Sequence, residues 1–290
     1  MRVVVVIATY GRPEILRCLL SHLEEQQRSP EMVIVSAPDL SHVPHYEAQT
    51  FALNVVTGAS GLCAQRNHAL GHVLAWSDVV TFLDDDFLPA NNYLDRVVTA
   101  FQRHDDAAVI MGHAEVDGVQ GVGLTFEEGL MALRVLEEGA SPGGLAIDEI
   151  GAYGCNMSIR TASIADTRFD ERLALYGWQE DVDFASRLRS RGRVIRMPDL
   201  FGVHLGFKAG RVSGIRFGYS QVANPAYLIR KGSMPADFGL RLMLRNICVN
   251  LVRSLWSEAH VDRRGRLKGN AIGLFHLAKG RIEPEYIRQL

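Results

Sequence analysis

The sequence predicts an α/β protein built on a mostly parallel sheet flanked by helices, with a helical C-terminal extension. Three observations carry that expectation. Short β-branched runs alternate with segments of helical apolar spacing, the pattern of βαβ crossovers. Polar and acidic residues collect where those runs stop, at Thr9-Tyr10, Asp39 and Asp84-Asp85-Asp86, the edge at which open parallel sheets bind ligands. Beyond Pro235, helical periodicity continues without further strands.

The elements follow in order. Residues 3–8 are almost entirely β-branched and read as a buried strand, too short for a signal-peptide core. Pro13 suits a first helical turn, and Ile15, Leu16, Leu19, Leu20 and Leu23 then recur at helical spacing. Residues 32–35 and 54–57 are the second and third strands, 62–76 a helix, and 79–83 a fourth strand halted by the acidic triplet. Residues 118–123 form a glycine-rich turn whose spacing does not match a dinucleotide fingerprint. A surface helix is expected over 125–138, a mobile loop over 139–144, and a strand over 151–159. Next come a helix over 181–191, in which Asp183 and Arg187 form an i,i+4 pair, and a strand over 194–197. In the extension, Leu240, Leu244, Ile247, Leu251 and Leu255 share one side of a helix. Amphipathic helices are usually core-facing, so that side is expected to pack on the body of the protein or on a second subunit.

Composition narrows the function. The chain has 290 residues, 47% apolar and 22% charged, which excludes a disordered or collagenous protein and suffices for a core without metals or disulfides. A net charge of −2 gives no basic field for nucleic acid, so no nucleic-acid partner is expected. The charge is unevenly placed: from Leu228 onward there are 12 Lys and Arg against 5 Asp and Glu. That basic tail, with Trp256, allows peripheral contact with the inner face of a membrane as well as a homodimer. Cys18, Cys63, Cys155 and Cys248 form no CxxC pair, which argues for reduced thiols and a cytoplasmic location over zinc. Nothing approaches 18 consecutive apolar residues, so no transmembrane helix is expected.

Several residues carry chemistry. Three adjacent carboxylates at a strand end repel one another unless a cation sits among them, and hard oxygen ligands suit Mg2+ or Mn2+. Alternation along an extended chain lets Asp84 and Asp86 face one ligand while Asp85 points elsewhere. A solvated acidic turn is the plainer alternative. Trp178-Gln179-Glu180-Asp181 opens a helix; Asp181 is there either a cap or a general base, and the neighbouring aromatic suits a sugar. His204, among apolar neighbours, is either structural or a ligand. Arg66, in the run from Gly61 to Asn67, is either a phosphate grip or a surface ion pair.

Taken in order, these segments resemble the family-2 glycosyltransferases of the GT-A fold. The resemblance rests on Ala8-Thr9-Tyr10-Gly11-Arg12-Pro13, the run from Gly61 to Asn67, Asp84-Asp85-Asp86, the run from Gly154 to Arg160, Phe169-Asp170-Glu171 and Glu180-Asp181-Val182-Asp183. It extends from Val3 to about Gly206 and more loosely through Tyr227 and Arg230. It implies a catalytic domain over 1–230 and a basic helical extension over 231–290. It also implies a UDP-favoured nucleoside-diphosphate sugar as donor, a saccharide or glycolipid acceptor, and Mn2+ or Mg2+ as cofactor. Donor-nucleotide contacts then fall to Ala8, Thr9, Tyr10, Arg12, Asp39, Arg66, Asp84 and Asp85, and the metal to Asp86 and His204. Asp181 corresponds to the catalytic base, and Trp178, Glu180 and Asn156 to the acceptor side. One departure is Ser36-Ala37-Pro38-Asp39, where the family often has Asp-x-Ser-x-Asp.

This resemblance implies inverting transfer, with a carboxylate taking the acceptor's proton and a cation stabilising the leaving diphosphate. Two rivals share the architecture. A sugar-phosphate nucleotidyltransferase should carry a glycine-rich, Arg- and Lys-bearing loop after the first strand, which residues 8–13 lack. A non-catalytic binding homologue has no need of intact Asp84, Asp86 and Asp181.

Overall fold

A computed structural model describes residues 1–139, 144–207, 213–256, 258 and 260–290. The expected mobile loop at 139–144 falls largely outside the described residues. Strand β1 (Val3–Ala8) lies between β2 (Met32–Ala37) and β4 (Val79–Asp84), parallel to both, with β3 (Ala52–Thr57) outside β2. Period-2 alternation sorts the β1 side chains cleanly. Val3, Val5 and Ile7 join the core under helix α1 (Pro13–Glu24), whereas Val4 and Val6 join the opposite core with Leu70 of α2 (Leu62–Leu70). Both faces are covered, which is why the strand needs no polar residue.

The second half of the sheet departs from the parallel pattern. Strand β5 (Phe87–Pro89) and helix α3 (Tyr93–Arg103) lead into the long β6 (Ala107–Asp117). After α4 (Phe126–Gly139) and the short β7 (Ile147–Asp148), strand β8 (Asn156–Arg160) inserts between β4 and β6, antiparallel to both. A short α5 (Thr161–Ile164) and α6 (Glu180–Leu188) precede β9 (Arg193–His204), which runs parallel to β6 and antiparallel to β5. The order is β3-β2-β1-β4-β8-β6-β9-β5, with β7 on β9.

Some boundaries differ from the sequence expectation. Helix α2 ends at Leu70 instead of Trp76: His72 N bonds to Ala69 O and Val73 N to Leu70 O, so the chain continues in tighter turns that still bury Val73. The strand expected over 151–159 begins only at Asn156. Residues 151–155 form a turn against α6, where a Cβ on Gly154 would lie 3.1 Å from Asp181 Cβ and 3.0 Å from Glu180 Oε1.

Three helices complete the chain: α7 (Gly214–Lys231), α8 (Ala236–Arg253) and α9 (Arg263–Ala278). Helices α7 and α9 cross at backbone contact, since a Cβ on Gly269 would sit 2.1 Å from Ile215 O. A buried amide network joins α8 to both, with Asn250 Nδ2 donating to Gln221 Oε1 at 2.7 Å and to Asn270 Oδ1 at 2.8 Å. Helix α7 is fastened to the sheet domain by Tyr227 and Lys231 on Asp170, at 2.7 and 2.6 Å, and by Asn224 Nδ2 on Trp178 O. The apolar stripe of α8 corrects one half of the packing expectation, that it lies on the body of the protein: only Ile247 of the stripe packs there. Leu240, Leu244, Leu251 and Leu255 face solvent, because the helix buries Met243 and Asn250 instead. Among the described residues no helix is long and apolar enough to cross a membrane.

Candidate active site

Strand register assembles the site. At the carboxyl edge Ala8 pairs with Asp84 on one side and Ser36 on the other, so the loop after β1 and the acidic triplet start from one level. His204 pairs with Phe87 of β5 and with Asp117 of β6, which delivers the imidazole to the residue after Asp86 from the far half of the sheet. Strand β4 ends at Asp84, and Asp85 and Asp86 occupy the turn before β5, both within reach of Arg12 Nη1. Asp85 turns inward, accepting from Thr9 Oγ1 at 2.7 Å and from Arg12 Nη1 at 2.9 Å. Burial raises its carboxyl to about 7 against the pull of Arg12. Asp86 is equally buried but better served. His204, Arg12 and the Phe207 N–H outweigh its desolvation and hold it down at about 2.

Asp84, Asp86 and His204 each offer a ligand atom, all within 4.8 Å of one another, and could together hold a metal ion. The donor set of two carboxylates and an imidazole suits a hard divalent cation. A surrounding frame supports the fit. His204 Nε2 lies 3.3 Å from Asp86 Oδ1, while Nδ1 faces Asp117 Oδ1 at 3.2 Å, and Tyr153 OH donates to Asp117 Oδ2 at 2.9 Å. A carboxylate behind a ligating histidine fixes its tautomer and ring plane. Burial alone would lower the imidazole, but its hydrogen bonds to Asp117 and Asp86 raise it to about 10; a cation bound at Nε2 would take the place of that proton.

Arg66 is the hinge of the arrangement. It is 1% exposed and donates to Glu180 Oε1 at 2.6 Å, Asp84 Oδ1 at 3.0 Å and Gly154 O at 2.8 Å. Its guanidinium lies 5.3 Å from the Phe82 ring centre and 5.5 Å from that of Phe169. One cation thus ties the acidic triplet to the start of α6. It is not the surface ion pair of the two sequence alternatives, being buried where it borders the cavity. Burial raises Glu180 to about 8 despite Arg66. Asp181 is in the first turn of α6 and does not cap it, since Gln179 holds the cap position at φ +71°. Its Oδ2 accepts from Gly154 N at 2.7 Å and its Oδ1 from Val182 N at 2.8 Å. Burial raises Asp181, and those two N–H groups oppose it.

These groups open onto one cavity of about 780 Å³, lined by Ala8, Thr9, Tyr10, Arg12, Arg66, Asp84, Asp85, Asp86, Trp178, Glu180, Asp181 and His204. Two expected site residues do not line it. Asp39 caps the turn at Leu40–His42 through Ser41 N, because β2 runs on to Ala37 and Pro38 then carries the chain outward. Asn156 is buried at the start of β8, beneath the cavity floor, with its backbone O accepting from Tyr93 OH. Others were missed. Gln65 Nε2 donates to both Thr9 O and Ser36 O, clamping the ends of β1 and β2. Asp117 ends β6, so the rule that drew attention to Asp84 could have found it. Arg245, Leu242 and Phe238 bring α8 into the wall.

Residues 4–125 match the family model for glycosyl transferase family 2. Among solved structures, S. aureus TarS 1–349 in complex with UDP aligns with a TM-score of 0.52 and 16% identity, over 99% of this chain and 89% of that one. Another structure of TarS 1–349 gives a TM-score of 0.52 and 17% identity over 84% and 69% of the two chains. The mannosyltransferase PcManGT from Pyrobaculum calidifontis, in complex with GDP-Man and Mn2+, gives 0.50 and 17% over 98% and 77%. At these identities the likeness is one of fold. No curated protein matches the sequence.

Proposed function

We propose, from the premise that residues 4–125 make this chain a family-2 glycosyltransferase, that it moves a sugar from a nucleoside diphosphate to an acceptor hydroxyl with inversion. The observation that carries this reading is the Arg66 bridge, which sets Asp84 and Glu180 on one guanidinium and thereby puts the acidic triplet and Asp181 in a single cavity. Solved structures of the same fold hold UDP, or GDP-Man with Mn2+; UDP is the favoured nucleotide here. Residues 1–230 are the proposed catalytic domain and 231–290 its basic extension, in a cytoplasmic protein whose cysteines stay reduced.

Each residue then has a task. Tyr10, Thr9 and Ala8 form the nucleotide side of the cavity, and Tyr10, half-exposed against His42, offers its ring to the base. Asp84 faces the ribose, and Arg12 keeps Asp85 and Asp86 in place beneath the diphosphate. Mn2+ or Mg2+, held by Asp84, Asp86 and His204, would stabilise the negative charge that builds on the leaving diphosphate. Trp178 and Glu180 border the acceptor side, a saccharide or glycolipid. Asp181 accepts the acceptor's proton as the hydroxyl oxygen bonds to the anomeric carbon, while the bond to the phosphate oxygen breaks and its electron pair leaves with the nucleotide. The two backbone N–H groups on Asp181 orient the carboxylate, and its burial raises its proton affinity, which suits a group that must take a proton.

Thermal-shift measurement of UDP, GDP, dTDP and CDP with Mn2+ tests this reading, because a ligand bound only by the folded state raises its melting point. One nucleotide, UDP by preference, is expected to raise it, and Asp86→Ala to abolish the Mn2+-dependent part. No shift with any nucleotide would refute the reading.

A further inference from the structure

We propose that the outward faces of α8 and α9 dock the protein onto a bilayer surface rich in anionic lipid. Helix α8 has three distinct sides. Met243 and Asn250 are buried, Phe238, Leu242 and Arg245 line the cavity, and the remaining side is apolar and open to solvent. On that side Leu240 is 56% exposed, Leu244 63% and Leu251 56%, and Leu255 and Trp256 follow beyond the helix end at 74% and 63%. Met243 and Ile247 of α8 share a cluster with Leu277 of α9 over Val222 and Ala226 of α7. Leu244 and Leu251 therefore flank one edge of the α8–α9 seam, and the exposed Leu274 and Phe275 belong to α9 across it. Exposed large apolar side chains gathered on two packed helices mark a place of association.

Charge selects the occupant. Arg241, Arg245, Lys268 and Lys279 lie on the exposed sides of these two helices. Among the described residues no carboxylate lies within ion-pair distance of Arg245, Lys268 or Lys279, while Arg241 is held by Asp237. From Leu228 onward basic residues outnumber acidic ones 12 to 5. A two-fold dimer would set this cationic rim against its own copy, whereas anionic headgroups complement it and leave the leucines and Trp256 at the acyl boundary. Because α8 also lines the cavity, docking brings the cavity mouth to headgroup level. The proposal does not rest on the glycosyl-transfer reading and is tested without donor.

The experiment is flotation of the full chain with phosphatidylcholine vesicles, with and without phosphatidylglycerol, alongside light scattering of the protein alone. Co-flotation with the anionic vesicles only, reversed by high salt, is expected. Leu244→Glu/Leu251→Glu should weaken partitioning at least about tenfold, since two leucines lose their apolar burial. Its melting temperature should not change, both side chains being in solvent already. Lys268→Glu/Lys279→Glu should remove the preference for anionic lipid. Failure to float with anionic vesicles overturns the proposal. So does a dimer that the leucine variant dissociates, which would assign the face to self-association.

Discussion

Arg66→Met is the perturbation whose size follows most directly from the geometry. The substitution removes three hydrogen bonds, to Glu180, Asp84 and Gly154 O, from a buried guanidinium. Asp84 can turn to water at the cavity wall, but Glu180 is 4% exposed and cannot. Deleting one partner of a buried ion pair costs about 3–5 kcal/mol, because the other charge remains in the interior. The cost should depend on pH. The ordinary carboxyl value of 4.5 rises to about 8 for Glu180 in the fold, so the folded state keeps a proton that the unfolded chain releases. Glu180 alone therefore makes stability fall as pH rises from about 4.5 towards about 8, by up to ~1.4 kcal/mol per pH unit. Near pH ~5, Glu180 is neutral in the variant as well, and the penalty shrinks to that of unsatisfied polar groups, about 1–3 kcal/mol. Urea unfolding of the wild type, Arg66→Met, Glu180→Gln and the double variant at about pH 5 and about pH 9 measures both effects. The Arg66→Met penalty should be about 2 kcal/mol larger at the higher pH. Glu180→Gln should make the wild-type profile shallower between about pH 4.5 and about pH 8, leaving the slopes due to Asp85 and His204. A penalty below about 1 kcal/mol at both pH values, or one that does not change with pH, would refute the reasoning.

Two further outcomes follow from the frame around the site. Asp117→Asn should weaken Mn2+ binding about 10–100-fold in calorimetry, since Asp117 orients the His204 ring from behind. Unaltered Mn2+ affinity would remove that role. Gln65→Leu should lower stability by about 1–3 kcal/mol in the same unfolding assay, because Thr9 O and Ser36 O each lose a buried donor; a neutral result would show that the clamp is dispensable.

The sequence made the first half of the molecule legible because there each element carries its own local signal. The β-branched run of β1, the helical spacing of α1 and the acids ending β4 need no distant partner to be read, and Asp84 and Asp86 were found that way. The rest depends on pairing between remote segments. That Asp117 stands behind His204 follows from the register of β6 on β9, a relation between residues far apart in sequence that no periodicity records. The burial of Arg66 is of the same kind, since Glu180 lies 114 residues away. Asp39 and Asn156 show the converse: their motifs suggested the cavity, and the local path of the chain turned one outward and set the other beneath the floor. For α8 the spacing identified an apolar face but carried no information on what covers it.

Asp181→Asn tests the central claim most directly, with two readouts on one protein: nucleotide affinity by calorimetry with Mn2+, and release of nucleoside diphosphate from the sugar donor that the thermal-shift comparison selects. The account predicts unchanged affinity and a rate lower by about 10²–10⁴-fold, the usual contribution of a positioned base. A variant that binds nucleotide normally and still turns over at the wild-type rate would contradict it.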